Sequence, residues 1–345
     1  MTAPLLITMG DAAGIGPEII VAAFAAAQAP GCVVVGDVAV MRRAAQLWPQ
    51  RFITVALIEE PADAASLPSG CLPVISPAGL YAGLADLPWG HIEAQNGAAA
   101  ARCIEHAALL MQQGRGAAMV TAPIHKEALA AAGIGYPGHT EMLQALAAQG
   151  AALPTLPTLP TRPEVRMMLA NAELRVVLVT IHLSLRRAID AINFDAVLQT
   201  IRITARALAA FGIAAPRIAV AGLNPHAGEG GLFGDEEQHI IAPAVRAARD
   251  EGINASGPFA PDTVFMRARH AAGHVGEFDA VVAMTHDHGL IPVKYLGVEQ
   301  GVNVTLGLPF VRTSPDHGTA FDIAGRGVAD PSSLIAAIAM ARRLS

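Results

Sequence analysis

Gly10-Asp11-Ala12-Ala13-Gly14-Ile15-Gly16-Pro17-Glu18 is the stretch on which the fold turns. Leu5-Leu6-Ile7-Thr8-Met9 precedes it and Ile19-Ile20-Val21-Ala22-Ala23-Phe24 follows. A short apolar run, a glycine-rich break, and a proline at the head of an alanine-rich segment read as strand, turn and helix. Such a unit can cradle a phosphate, but the spacing here does not match the known cradles. A dinucleotide fingerprint needs G-x-G-x-x-G, and these glycines are Gly10, Gly14 and Gly16. The lysine of a Walker loop is missing as well. On local grounds the stretch is a tight strand-to-helix turn.

The same alternation continues outward. Short β-rich runs occur at 5–9, 32–35, 53–57, 118–121, 166–170, 176–180, 218–221 and 280–284. Helical patterns lie at 18–27, 40–47, 97–112, 140–148, 184–192, 196–211, 236–251 and 332–343. Strand then helix, repeated, predicts an α/β protein. Runs such as Arg175–Thr180 are too apolar for a one-faced sheet and suit strands covered on both sides. Residues 151–164 break the pattern with Pro154, Pro157, Pro160 and Pro163, which forbid helix and interior strand and predict a surface loop.

The 345 residues suffice for two lobes and a large core. With 53% apolar and 15% charged residues the chain is not of the disordered class. A mild acidic excess, 29 against 23 basic residues, and no basic stripe argue against nucleic-acid binding. No segment offers about 18 uninterrupted apolar residues, and no basic, apolar leader precedes Asp11, so neither a membrane span nor a signal peptide is expected. Cys32, Cys71 and Cys103 have no metal-type spacing and read as reduced thiols of a cytoplasmic protein.

Four histidines sit in dense polar clusters: His139 in YPGHTEM, His182 in VTIHLSL, His226 in GLNPHAGEGG and His286 in MTHDHGL. In α/β sheets ligands bind beyond the carboxyl ends of strands, where His182, His226 and His286 fall. Each alone also reads as a capping or satisfied polar residue; together they can hold a divalent metal with positions open for substrate. The Gly222–Glu237 loop can present its histidine rigidly, and Asp235-Glu236-Glu237 is expected to start a helix. Lys294, Asn303 and Arg312 follow His286 at intervals of eight, nine and nine residues. Lysine and arginine can clamp a phosphate or carboxylate, and each alone also reads as a solvated surface charge. Asp316, His317 and Gly318 lie in another polar loop that reads as a nucleotide site or as a turn.

The ordered series GDAAGIGPE, VTAPIHKEAL, GHTEML, TIHLSL, GLNPHAGEGG, GPFAPDT, THDHGLIPVK and GVNVTLGLPFVRTSPDHGTAFDIAGRG resembles the 4-hydroxythreonine-4-phosphate dehydrogenase family of vitamin B6 biosynthesis nearly end to end. The resemblance implies two α/β/α lobes around a cleft, like isocitrate and isopropylmalate dehydrogenases, with residues 1–134 and 290–345 in the first and 135–289 in the second. It implies a homodimer with the active site at the subunit interface. It implies a divalent metal on His182, His226 and His286, one of them contributed across the dimer. Substrate contacts carry over to His139, Thr140, Lys294, Asn303 and Arg312, and Asp262 lies near the site. NAD, with NADP as the alternative, is implied in the cleft. The reaction implied is oxidation of a hydroxyl β to a carboxylate, followed by loss of carbon dioxide.

Three places depart from the family pattern: Ala12 stands for proline, His125 for asparagine, and Thr285 and His288 flank the histidine–aspartate pair where tyrosine and glutamine are usual. Relatives of the family act on a terephthalate cis-dihydrodiol, forming protocatechuate, or on phosphorylated four-carbon sugar acids. Those substrates stand as alternatives, as does a silent paralogue that only binds a metabolite.

Overall fold

The structure, a computed structural model, describes residues 3–48, 50, 52–149 and 163–345. The proline-rich segment predicted as a surface loop falls on 151–164, of which 151–162 lie outside the described residues. The chain divides into two compact units, Met1–Pro163 with Leu308–Arg343, and Glu164–Gly307.

The first unit carries the strands β1 (Leu5–Thr8), β2 (Cys32–Val35), β3 (Thr54–Leu57), β4 (Cys71–Ile75), β5 (Ala118–Thr121) and β12 (Arg312–Pro315). They lie in the order β3-β4-β2-β1-β5-β12, with every pairing parallel. All residues of β1, β2 and β5 are buried, which is why their sequences show no polar alternation. The helices are α1 (Gly16–Ala25), α2 (Val38–Ala45), α3 (Ala94–Gln112), α4 (Lys126–Ala131), α5 (His139–Gln149) and α11 (Ser332–Leu344). The path β1–α1–β2–α2–β3 crosses the sheet one way and β4–α3–β5 crosses it back. Right-handed crossovers therefore put α1 and α2 on one face and α3 on the other.

The opening stretch is the turn that its spacing predicts. Gly10 has φ +74°, and a Cβ there would press into the Pro123 carbonyl, whose oxygen accepts the Asp11 N–H at 2.9 Å. A Cβ on Gly16 would lie 2.5 Å from the Met9 carbonyl oxygen. These glycines let chain pass chain. Glu18, on the first turn of α1, is buried and accepts from the N–H groups of Gly325 and Gly327 at 3.1 and 3.0 Å.

The second unit carries β6 (Arg166–Ala170), β7 (Arg175–Leu178), β8 (Ile218–Ala221), β9 (Ala255–Phe259), β10 (Ala280–Ala283) and β11 (Val302–Leu306), in the order β11-β6-β7-β10-β8-β9. β6 is antiparallel to both its neighbours, and the β7-β10-β8-β9 pairings are parallel. Its helices are α6 (Leu185–Ala191), α7 (Phe194–Ala210), α8 (Ala242–Asp250), α9 (Val264–Ala268) and α10 (His286–Tyr295). Val176, Leu178, Ala219 and Val281 of the sheet pack with Phe265 of α9 and Leu290 of α10 in one core. α10 sits close because Gly289 lacks a side chain: a Cβ there would lie 2.5 Å from Leu178 Cδ2 and 2.9 Å from Ala283 Cβ.

The sequence reading set the lobes at 1–134 with 290–345 and at 135–289; the compact units are drawn at Pro163/Glu164 and Gly307/Leu308. Residues 139–149 belong to the first unit because α5 packs on α3, and 302–306 to the second because β11 pairs with β6. Strands β4, β9, β11 and β12 and helices α4, α9 and α10 lie outside the sequence-stretches read as elements. Pro73 and Pro258 interrupt β4 and β9, and Asn303 on β11 and Arg312 on β12 read as binding residues rather than as strand positions. The single helix read over 236–251 is a π-helical turn, Glu237–Ile241, running into α8. Among the described residues no helix is long and apolar enough to cross a membrane, and Cys32, Cys71 and Cys103 are free thiols.

Candidate active-site residues

In the second unit β7, β8 and β10 run parallel, so the segments that follow them leave the same end of the sheet. Two of their histidines meet. Thr180 is buried beyond β7, and its N–H and its hydroxyl both donate to the Met284 carbonyl beyond β10, at 3.2 and 2.8 Å. This tie brings the rings of His182 and His286 to 5.6 Å between centroids. His286 opens α10, and its Nδ1 lies 2.7 Å from Asp287 Oδ1. That bond favours the tautomer with its proton on Nδ1 and its lone pair on Nε2, the form a metal takes.

His226 is exposed and is not drawn into this pair: among the described residues no group of three His, Cys, Asp or Glu side chains is placed to hold a metal ion. It sits in a loop of unusual backbone. His226, Ala227, Gly228, Glu229 and Gly230 all have positive φ, from 43° to 80°. Glu237, 3% exposed, braces the loop from behind. Its Oε1 accepts the N–H groups of Leu223 and Asn224 at 2.6 and 2.7 Å, and its Oε2 accepts Asn224 Nδ2 at 2.9 Å. The acidic run does start a helical segment, with the N–H groups of Gln238 and His239 donating to Asp235 O, and two of its carboxylates also brace the loop, since Glu236 Oε2 accepts from Asn224 Nδ2.

Lys294 is half-buried two turns along α10 from His286, and Asn303 is half-buried on β11. Asn171 holds the carbonyl next to Lys294: its Nδ2 donates to Val293 O at 3.2 Å while its Oδ1 accepts from Glu173 and Leu174. Asp262 is exposed in the turn between β9 and α9. Thr285 is buried and His288 half-buried, its imidazole pulled below its ordinary pKa by burial.

In the first unit Arg312 opens β12 and is 3% exposed. β12 pairs with β5 so that Arg312 aligns with Met119. Its side chain reaches one pleat further, to Thr121, whose hydroxyl oxygen accepts from Nε at 3.1 Å and from Nη2 at 2.6 Å. Burial brings the guanidinium down to about 10, with Glu141 opposing, so it stays charged at neutral pH. His139 and Thr140 open α5. Burial first, and then the Arg312 charge, hold His139 well below its ordinary value, so its imidazole is neutral; its Nε2 is buried without a hydrogen-bond partner. A fixed cation, a neutral imidazole and the first turn of a helix are the elements of an anion cradle.

Beyond β1 and β5 of the same unit stand Asp11 and His125. Asp11 is fully buried; Oδ1 accepts Ala13 N–H at 2.9 Å and Oδ2 has no partner. Burial lifts its carboxyl to about 6, with the Ala13 N–H and His125 opposing. His125 stacks on Phe321 at 4.6 Å and 17°. In the Asp316–Gly318 segment the chain bends, and His317 Nδ1 approaches Gly318 O at 3.0 Å. Thr121, Thr180 and Asn171 were not singled out from the sequence, where they are ordinary polar residues next to apolar runs, and Glu237 was read only as part of a helix start.

The class is thus an α/β protein whose ionisable groups gather at strand ends: paired imidazoles in one unit, a buried guanidinium with a neutral histidine in the other. Residues 28–341 match the family model described as pyridoxal phosphate biosynthetic protein PdxA. A 4-hydroxythreonine-4-phosphate dehydrogenase from Beijerinckia indica subsp. indica is 55% identical over 99% of this chain and 95% of that protein. A D-threonate 4-phosphate dehydrogenase from Pectobacterium atrosepticum is 43% identical over the full length of both. The solved structure of a 4-hydroxythreonine-4-phosphate dehydrogenase from Klebsiella pneumoniae superposes with a TM-score of 0.88 at 44% identity, covering 100% of this chain and 98% of the other. The chain belongs to the PdxA family.

Proposed function

We propose that this protein is a dehydrogenase of a phosphorylated β-hydroxy acid, 4-phosphohydroxy-L-threonine, acting with NAD and a divalent metal and releasing carbon dioxide. The observation that carries the reading is the buried Arg312, held by Thr121 beside the neutral His139: a cradle for a strongly charged, compact anion such as a phosphate monoester. Family membership and full-length similarity to dehydrogenases of two four-carbon phosphates support it.

The residues divide the work. Arg312, His139 and Thr140 take the phosphate, and fixing that end orients the carbon to be oxidised. Lys294 and Asn303 are the further substrate contacts that the family resemblance implies, Lys294 sharing the anionic end with Arg312. His182 and His286 fit a divalent metal through their ring nitrogens, the second with its tautomer set by Asp287. A metal held there would supply Lewis acidity toward the substrate hydroxyl, and NAD would supply the hydride acceptor. Asp262 is the carboxylate proposed to take the hydroxyl proton. His226 would complete the ligand set from a second copy of the chain. Leu232 and Phe233, 73% and 48% exposed beside it, are the apolar surface that such a homodimer would cover.

A second reading is favoured by the Pectobacterium relative: the substrate is D-threonate 4-phosphate, which keeps the phosphate and the β-hydroxyl. The test is reduction of NAD by the purified, metal-loaded protein with 4-phosphohydroxy-L-threonine, D-threonate 4-phosphate and the terephthalate cis-dihydrodiol in parallel. Turnover of the first is expected. Turnover of only the second moves the assignment to that acid, and turnover of only the dihydrodiol refutes the phosphate reading.

A further inference from the structure

We infer that Thr121 is a positioning residue for the substrate's phosphate, presetting the plane of the Arg312 guanidinium; this rests on the reading of Arg312 as the phosphate ligand. The hydroxyl oxygen of Thr121 accepts from two nitrogens of the same guanidinium, at 3.1 and 2.6 Å. Two bonds from one planar group to one atom fix its position and also its rotation about the side-chain axis. An arginine recognises phosphate through a planar fork, so rotation of that plane decides how many N–H groups reach the anion. Without the tie, the long side chain must be ordered when the ligand binds, at an entropic cost.

Register makes this possible. Parallel pairing aligns Arg312 with Met119, and Thr121, two residues on, shares the sheet face of Met119. The arginine stem runs along the sheet and ends over the hydroxyl. Thr121 is fully buried and its own backbone lies in β5 beside β1 and β12, so it does not move with the ligand. It sits inside a rigid element, which is where positioning residues are most exact. A β-branched side chain adds to this, since χ1 of threonine has few rotamers to choose from.

Valine keeps the shape and burial of threonine and removes the acceptor; serine keeps the acceptor. The experiment compares wild type, Thr121→Val and Thr121→Ser by steady-state kinetics on 4-phosphohydroxy-L-threonine, by thermal unfolding, and by calorimetric binding of inorganic phosphate. In Thr121→Val the expected result is a KM raised roughly 10- to 100-fold, the range for a buried donor that loses its partner. kcat should change less than threefold, and phosphate binding should weaken in parallel. Thr121→Ser should restore both to within a few-fold. A purely structural role would lower the melting temperature of Thr121→Val with KM and phosphate affinity unchanged, and that outcome overturns the inference. So does a wild type that binds no phosphate. If wild type turns over none of the phosphorylated acids yet phosphate binding is lost in Thr121→Val and restored in Thr121→Ser, the functional reading falls and this inference stands.

Discussion

Replacing Glu237 by alanine should release the His226 loop while leaving the fold intact. Three non-glycine residues of that loop, His226, Ala227 and Glu229, hold positive φ of 52°, 52° and 43°. The left-handed region costs such residues about 1–2 kcal/mol each, so the loop stores roughly 3–6 kcal/mol. Against this, Glu237 accepts three hydrogen bonds from Leu223 and Asn224. Bonds to a charged group contribute about 1.5–3 kcal/mol each, roughly 5–9 kcal/mol together if all three partners were fully buried. Leu223 and Asn224 are only half-buried, so water replaces part, and a net cost of about 3 kcal/mol is expected. Strain and brace are then of similar size, and removing the brace lets the loop relax. Hydrogen exchange reads this directly: the Leu223 and Asn224 amides should exchange about 100-fold faster in Glu237→Ala, since each 1.4 kcal/mol is tenfold. Turnover should fall with it if His226 acts from that loop. Glu237→Gln should be intermediate, because its oxygen can still accept the two backbone N–H groups while its amide nitrogen faces Asn224 Nδ2. Wild-type exchange rates at both amides in Glu237→Ala would refute the brace.

Three further outcomes follow from burial. The Asp11 carboxyl, raised by desolvation from 3.8 to about 6, binds its proton more tightly in the folded state, so stability should fall as pH rises through that window, by roughly 3 kcal/mol at most. Urea unfolding from pH 4 to 7 should show this slope in wild type and lose it in Asp11→Asn; equal slopes would contradict it. His139, held well below 6.5, takes up its proton only on unfolding, so stability should drop as pH falls below about 6.5, and His139→Gln should shrink that acid-side loss in the same titration. Gly289→Ala gains helix propensity of about 1 kcal/mol but overpacks α10 against Leu178 and Ala283 at about 1–3 kcal/mol, so the melting temperature should fall by a few degrees rather than rise.

What the sequence shows and what it hides separate along one physical line. The α/β class was legible because buried parallel strands such as Cys32–Val35 and Ala118–Thr121 are continuous apolar runs, and their bounds in the structure match the reading. The Gly10–Glu18 turn was legible because glycine spacing excludes the known phosphate loops, and the structure shows each glycine passing a neighbouring chain. His182, His226 and His286 read from the sequence as three histidines beyond strands of one sheet, and the structure brings the rings of His182 and His286 to 5.6 Å while no group of three metal-ligating side chains forms among the described residues. Pairing between remote segments was not legible. Thr121 and Arg312 are separated by 191 positions, and only the β5–β12 register makes them partners. Thr180 and Met284, 104 positions apart, are joined by a sheet order that no local pattern encodes.

The hidden residues share a chemistry. Thr121, Thr180 and Asn171 each bond a group within two positions of, or part of, a candidate site residue, and each is common enough in sequence to pass unnoticed. A histidine or arginine at a strand end announces what it can do, because few residues carry that charge or lone pair. The threonine that aims it announces nothing, because a hydroxyl acquires its role only from what the fold sets opposite it. If substrate choice in this family depends on aim as much as on ligand identity, exchanging Thr121 or Asn171 should shift KM among phosphorylated acids while His182, His286 and Arg312 stay as they are. Two members with the same ligand set would then differ in substrate through residues that a motif comparison scores as neutral.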